Sequence, residues 1–162
     1  MKIGVISDTH GFCHPRVFQL FEGAELILHA GDIGDETIIT DLEAIAPVTA
    51  VVGNVDHSPL TERYPTLAEV SIESHLLLVT HQAGPPERLP EDLKALLQDR
   101  RPAALVFGHT HLPLARQQGD VLYLNPGYAG LKRFGWKRSV ATLFVTEDGL
   151  EATIHSLEDG PR

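Results

Sequence analysis

The sequence predicts an α/β fold in which two mixed β-sheets pack face to face with helices on the outside. Three observations carry this. Short apolar runs rich in β-branched residues recur along the 162-residue chain, each ending in glycine or a polar cluster. Amphipathic stretches at helical spacing lie between several of them. Pairs of turn-punctuated strands then crowd the C-terminal part, more sheet than a simple doubly wound fold uses.

KIGVIS (2–7) is the first expected strand; AELILHA (24–30), VTAVV (48–52), HLLLVT (75–80) and AALVF (103–107) continue the series. Pro15 opens a short helical pattern with Val17, Phe18 and Phe21 on one face. Asp35 is the expected N-cap of a helix that turns Ile38, Ile39, Leu42 and Ile45 inward, with Pro47 just past its end. Pro90 fits the first turn of a third helix, carrying Leu93, Leu96 and Leu97. AEVSIESHLLLVT (68–80) reads as a hairpin joined near Glu73–Ser74. PLARQQGDVLYLN (113–125) and SVATLFVTEDGLEATIHSL (139–157) read as two more, turning at Gly119–Asp120 and Asp148–Gly149.

Apolar residues make up 43% and charged residues 22%, the balance of a globular protein, and the length suits one domain over residues 1–162. No apolar run nears the ~20 residues needed to cross a bilayer, and Ile3–Ile6 is too short for a signal-peptide core. Cys13 is the one cysteine, so no internal disulfide forms, and a cytoplasmic location is expected. A formal net charge of -9 argues against long nucleic acid as a partner. The one basic cluster, Lys132, Arg133, Lys137 and Arg138, suits either steering of a small anionic substrate or a solvated loop face.

The chemistry lies where the strands stop. Asp8 and His10 follow the first run, Asp32 the second, Asn54 the third, His81 the fourth, and His109 with His111 the fifth. Ligands of open α/β sheets bind at the carboxyl ends of strands. If the strands are neighbours, all seven side chains meet on one rim. Each offers an oxygen or an imidazole nitrogen suited to a divalent cation. Gly31, Gly53 and Gly108 let the backbone bring them inward. His109 and His111, two apart in an extended segment, share a face. Any one of the seven alone reads as a cap, a turn residue or a satisfied buried histidine; their recurrence at five strand ends does not. A structural zinc site is disfavoured, because it would use several cysteines.

The ordered set DTH (8–10), GDIGD (31–35), GNVD (53–56), His81, GHTH (108–111) and NPG (125–127) resembles the calcineurin-like metallophosphoesterases. Within them it is similar to the small single-domain bacterial and archaeal phosphodiesterases, close in size to the retromer subunit that shares their fold. The resemblance implies a four-layer αββα sandwich with two divalent cations on one rim. Manganese is the first expectation, with iron, nickel, zinc or magnesium as alternatives. It implies that Asp8, His10 and His111 hold one cation, that Asn54, His81 and His109 hold the other, and that Asp32 bridges them. The implied reaction is hydrolysis of a small phosphodiester by a metal-bridging hydroxide. A phosphomonoesterase and a non-catalytic metal-binding scaffold are the alternatives, and a homo-oligomer stays open.

Three positions depart from the family's pattern. After the metal-binding Asn, larger relatives carry a His that protonates the leaving group and small ones often a Cys; here the residue is Val55. Asp56 and His57 follow it, so these two are the catalytic candidates, with His57 or water supplying the proton. The usual His-Gly-His reads His81-Gln82-Ala83-Gly84, and the usual Asn-Pro-Gly-Ser ends in Tyr128. Tyr128 and Arg133 are the substrate-binding candidates, although Tyr128 could equally pack. Phe134 and Trp136, in the loop over 127–139, suit an aryl group or nucleobase, an oligomer contact, or local packing.

Overall fold

The computed structural model describes residues 1–158, so residues 159–162 of the expected domain lie outside it. In chain order the elements are β1 (Lys2–Ile6), α1 (Arg16–Leu20), β2 (Leu26–Ala30), α2 (Thr37–Glu43), β3 (Val48–Val51), α3 (Leu60–Arg63), β4 (Leu67–Ile72) and β5 (His75–Thr80). A 3₁₀ turn (Pro86–Arg88), α4 (Glu91–Arg100), β6 (Ala104–Val106), β7 (Leu114–Gln118), β8 (Val121–Asn125), β9 (Ser139–Thr146) and β10 (Gly149–Ser156) complete the chain. They form two mixed five-stranded sheets, ordered β10-β9-β1-β2-β3 and β4-β5-β6-β8-β7. Three neighbouring strands of each sheet are parallel: β1, β2 and β3 in the first, with β3 at its edge, and β5, β6 and β8 in the second. Antiparallel β9 and β10 extend the first sheet on one side, and antiparallel β4 and β7 form both edges of the second.

The side-chain alternation of each strand decides the layers. Ile3, Val5, Leu28, Ala30, Val51, Leu143 and Val145 turn to one face of the first sheet. Leu77, Val79, Ala104, Val106, Leu122 and Leu124 meet them from the second, forming the core between the sheets. The alternate residues point outward. Ile6, Ile27, Ala50 and Val140 pack beneath Val17, Phe21, Ile38, Ile39, Leu42 and Leu60 of the α1–α3 side. Leu78, Leu105, Phe107 and Tyr123 pack beneath Leu93 and Leu97 of α4. Helices, sheet, sheet and helix therefore stack as four layers. Gly4 belongs to this packing, because a Cβ there would press into the Phe21 ring.

Several local expectations shift in detail. Phe18 is exposed at 40% rather than inward, since α1 is only five residues long and buries Val17 alone. α2 ends at Glu43, so Ile45 lies in the turn after it. The N-cap is Glu36, one residue later than expected and without a side-chain cap bond, while Asp35 Oδ1 accepts from the Thr37 amide (2.8 Å) and the Thr37 hydroxyl (2.6 Å) in the turn before the helix. α3 and the 3₁₀ turn are one turn each, too short to leave a periodic signature. No helix among the described residues is long and apolar enough to cross a membrane.

The core between the sheets makes the packing testable. Leu28→Ala is expected to lower the unfolding free energy by about 2–5 kcal/mol in urea titration. Phe144→Thr, at an exposed position of β9, should change it by no more than about 1 kcal/mol.

Candidate metal centre

The parallel strands of both sheets end at the same rim. Asp8 and His10 follow β1, Asp32 follows β2, Asn54 follows β3, His81 follows β5, and His109 with His111 follow β6. Backbone bonds tie these loops to one another: Asp8 N–H to Gly31 O (3.0 Å), His10 N–H to Asp32 O (3.0 Å) and Gly108 N–H to His81 O (3.2 Å). The tight turns force unusual backbone. Asp8, His10, Asp32, His109 and His111 have φ of 56°, 48°, 53°, 68° and 58°, the left-handed region that side-chain-bearing residues rarely adopt. Among the described residues other than glycine, only Glu73 and Arg101 share it. Non-glycine backbone of this kind costs of order 1–3 kcal/mol per residue and clusters where function needs it.

Glycine serves the same rim by close approach. A Cβ on Gly108 would overlap Ser7 Oγ, and one on Gly53 would overlap Asp32 Oδ1. These two glycines let neighbouring loops touch the Asp8 and Asp32 carboxylates.

One ligand atom each from Asp8, His10, Asp32 and His111 lies within 4.8 Å of every other, as donors to a single ion would. His111 Nε2 is 3.0 Å from Asp8 Oδ1, and His10 Nε2 is 3.9 Å from Asp32 Oδ2. The buried His81 joins them, its Nε2 3.3 Å from Asp32 Oδ2 and 4.0 Å from Asp8 Oδ1. Asp8 Oδ1, His10 Nε2 and His81 Nε2 are buried without a hydrogen-bond partner. Leaving such groups unpaired is costly, and three together aimed at one place fit a cation. Asn54 and His109 complete the rim at its exposed lip, where His109 Nδ1 and Asn54 Oδ1 are 3.0 Å apart. The His81 and His109 rings meet edge to face at 5.3 Å.

The charges follow from these neighbours. Burial would raise the Asp32 carboxyl, but the His81 imidazole beside it and the Val55 amide outweigh burial and hold it below its ordinary value. Burial would lower His81, yet Asp32, the Ala30 carbonyl and Asp8 outweigh it and raise the imidazole. His10 is lowered, because burial exceeds the pull of Asp32 and Asp8.

A second set of polar residues holds the first in place. Ser7 Oγ donates to Asp8 Oδ2 (2.7 Å), which also accepts the His109 amide (3.2 Å). Asn125 Nδ2 donates to Gly108 O (2.9 Å) and Thr110 Oγ1 (3.0 Å), while its Oδ1 accepts the Gly127 amide (2.9 Å), so the NPG segment staples the GHTH loop. Thr110 thereby serves the loop through its hydroxyl. His29, fully buried on the helix side of β2, accepts the Gly31 amide at Nδ1 (3.2 Å). Its proton therefore sits on Nε2 and is donated to Thr9 Oγ1 (2.9 Å), and Thr9 donates on to Ile33 O (2.9 Å). Burial pushes the His29 pKa down to about 4, which keeps it neutral. Sequence reasoning passed over Ser7 and His29. The available signal was a polar residue in a strand otherwise apolar on both faces.

The remaining candidates take other places around the cluster. The Asp56 carboxylate is buried and accepts three backbone amides, Ile33 (3.1 Å), Gly34 (2.8 Å) and Gly53 (2.8 Å). It clamps the loops that carry Asp32 and Asn54. His57 is exposed and lines a separate hollow of about 320 Å³ with Gly34, Asp35, Val55 and Pro59. Tyr128 is buried at 1% exposure, and its hydroxyl donates to Leu131 O (3.0 Å). Its ring backs His10 (5.8 Å) and His111 (5.1 Å), so it supports these histidines from behind. The exposed Arg133 guanidinium sits 5.2 Å from the Trp136 ring centre.

Residues 1–148 match the family model of the calcineurin-like phosphoesterase superfamily domain. The chain is 37% identical to a probable metallophosphoesterase of Methanothermobacter thermautotrophicus, over 95% of this chain and 91% of that one. It is 33% identical to the phosphodiesterase YfcE of Escherichia coli K12, over 83% of each. Among solved structures, YfcE superposes with a TM-score of 0.66 at 29% identity, covering 93% of this chain and 91% of that one. Vps29 of Entamoeba histolytica, at 17% identity, shares the fold with a TM-score of 0.74 over 96% of this chain and 99% of its own. By its match to this family model and its identity to these relatives, the chain belongs to the calcineurin-like phosphoesterase superfamily.

Proposed function

We propose that this chain is a phosphodiesterase that hydrolyses small phosphodiesters with two divalent cations, manganese foremost, and acts in the cytoplasm. The observation that carries the reading is the convergence of the buried, unpartnered Asp8 Oδ1, His10 Nε2 and His81 Nε2 with Asp32 and His111. Asp8, His10 and His111 would hold one cation, Asn54, His81 and His109 the other, and Asp32 both. Relatives named phosphodiesterase support the ester class. When bound, such a pair polarises the phosphoryl group and supplies a water acidic enough to attack near neutral pH.

The protein's own residues do the rest by orientation. Asp32 Oδ1 accepts the Val55 amide (3.1 Å), which turns Oδ2 toward the cluster. His81 Nδ1 donates to Ala30 O (2.7 Å), so the lone pair of its neutral form is on Nε2, facing the carboxylates. With only two carboxylates among the seven ligands, a loaded site keeps net positive charge, which favours the phosphoryl transition state. Val55 carries no proton, Asp56 is committed to three amides, and His57 stands apart. The leaving group is therefore protonated by solvent.

Reconstitution with Mn²⁺ is expected to load about two cations per chain and to support hydrolysis of bis-p-nitrophenyl phosphate, both abolished by EDTA. Less than about one cation per chain together with no turnover would sink the reading. A faster rate on p-nitrophenyl phosphate would make it a monoesterase, and full loading without turnover a scaffold. Asp32→Ala should cut turnover at least ~100-fold and lower the metal content measured by elemental analysis. His57→Ala should leave kcat unchanged to within about twofold. Asp56→Ala, by stranding three amides, should cost about 1–3 kcal/mol or more in thermal or urea unfolding.

A further inference from the structure

Seven large apolar side chains are exposed among the described residues: Phe18, Val55, Leu112, Leu131, Phe134, Trp136 and Phe144. Scattered exposure needs no explanation, but four of these, Leu112, Leu131, Phe134 and Trp136, sit in the two segments beside His111. Between those segments lies a cleft of about 410 Å³, lined by His111, Leu112, Pro113, Gly135, Trp136 and Lys137 among others. That is the size of a small-molecule subsite, largely apolar with a few polar groups. His111 belongs both to this cleft and to the metal cluster. A group seated in the cleft is therefore adjacent to the reacting phosphoryl group.

The aromatic wall is held in position. The Trp136 ring lies 4.5 Å from the His111 ring and meets Tyr128 edge to face at 4.8 Å. The Trp136 amide donates to Arg133 O (3.1 Å), and the Arg133 guanidinium covers its ring at 5.2 Å. After these contacts 38% of Trp136 is still exposed. Arg133 over its ring and Lys137 in the cleft lining bring positive charge to it in a chain of net charge -9. Fixed aromatic surface with local positive charge suits a planar group carried on an anion.

Resting on the phosphoesterase reading, we propose that this cleft binds a planar aromatic ester arm of the substrate, an aryl or nucleobase-bearing group, with Trp136 as its stacking wall. The enzyme is thereby selective for aromatic over small alkyl phosphodiesters.

Trp136 is the chain's only tryptophan, so its emission reports on the cleft without any turnover. The Mn²⁺-loaded protein is titrated with 4-nitrophenylphosphonate and with methylphosphonate, and free N-acetyltryptophanamide corrects for absorbance. Saturable quenching by the aryl phosphonate alone is expected. In competition against bis-p-nitrophenyl phosphate, the aryl phosphonate should inhibit about tenfold more tightly than the methyl one. Trp136→Ala should level the two with metal content unchanged, and Trp136→Phe should restore most of the difference. Tight aryl inhibition without quenching, or an aryl preference that survives Trp136→Ala, overturns the proposal. So does a dimer by light scattering that Trp136→Ala dissociates while the preference persists; the patch would then belong to a second copy. A protein that loads no metal and cleaves no ester fails the phosphoesterase reading instead, and the same titration of the metal-free protein, with quenching by the aryl phosphonate alone or by neither, still decides the cleft.

Discussion

The rim is organised around one buried carboxylate. Asp8 has no exposed surface and sits where the two sheets meet. A charge in that position is costly unless its oxygens are matched, and here Oδ2 is matched while Oδ1 has no hydrogen-bond partner. Oδ2 takes the Ser7 hydroxyl from its own strand end and the His109 amide from the loop after β6. Oδ1 faces His111 Nε2. The demand of this one group therefore draws a loop of the second sheet over the end of the first. It also sets where His109 and His111 sit relative to His10 and Asp32.

That arrangement is strained, and the core carries the strain. Among the described residues, five of the seven non-glycine residues with left-handed backbone are candidate metal ligands on the rim. Such backbone persists only when its surroundings over-determine it. Here the apolar layer between the sheets fixes the strand ends, and the bonds between the loops leave the turns no relaxed alternative. His29, Asn125 and Asp56 finish the task. Each spends its polar atoms on backbone groups or the Thr9 and Thr110 hydroxyls of the rim loops, and each is buried. Buried networks of this kind add rigidity when every member is satisfied.

The division of labour clarifies why Asp56 and Tyr128 read from sequence as chemical groups yet stand as supports. Both adjoin motif residues, and adjacency in sequence cannot tell a side chain that faces a ligand from one that faces the backbone behind it. The Asp56 carboxylate accepts three backbone amides, and the Tyr128 hydroxyl donates its proton to the Leu131 carbonyl. Trp136 shows the reverse. Its sequence context offered three uses, and its contacts with His111 and Tyr128 bring it to the edge of the ligand cluster.

The sequence by itself determined the strands, their two faces and the places where chemistry could gather. Those features are local: alternation of period two, glycine and proline punctuation, and polar residues just past each apolar run. Ile3, Val5, Leu77 and Val79 announce the core face through spacing alone, and Asp8, Asp32, His81 and His109 announce the rim through position. Only the tertiary structure decided that β9 lies beside β1, that β8 lies between β6 and β7, and that Asp8 and His109 meet across 101 residues of chain. It also decided which backbone is left-handed and which carboxylate is already used. The physical reason is that these outcomes depend on hydrogen bonds and packing between distant segments, which exist only once both sheets have closed on their shared core.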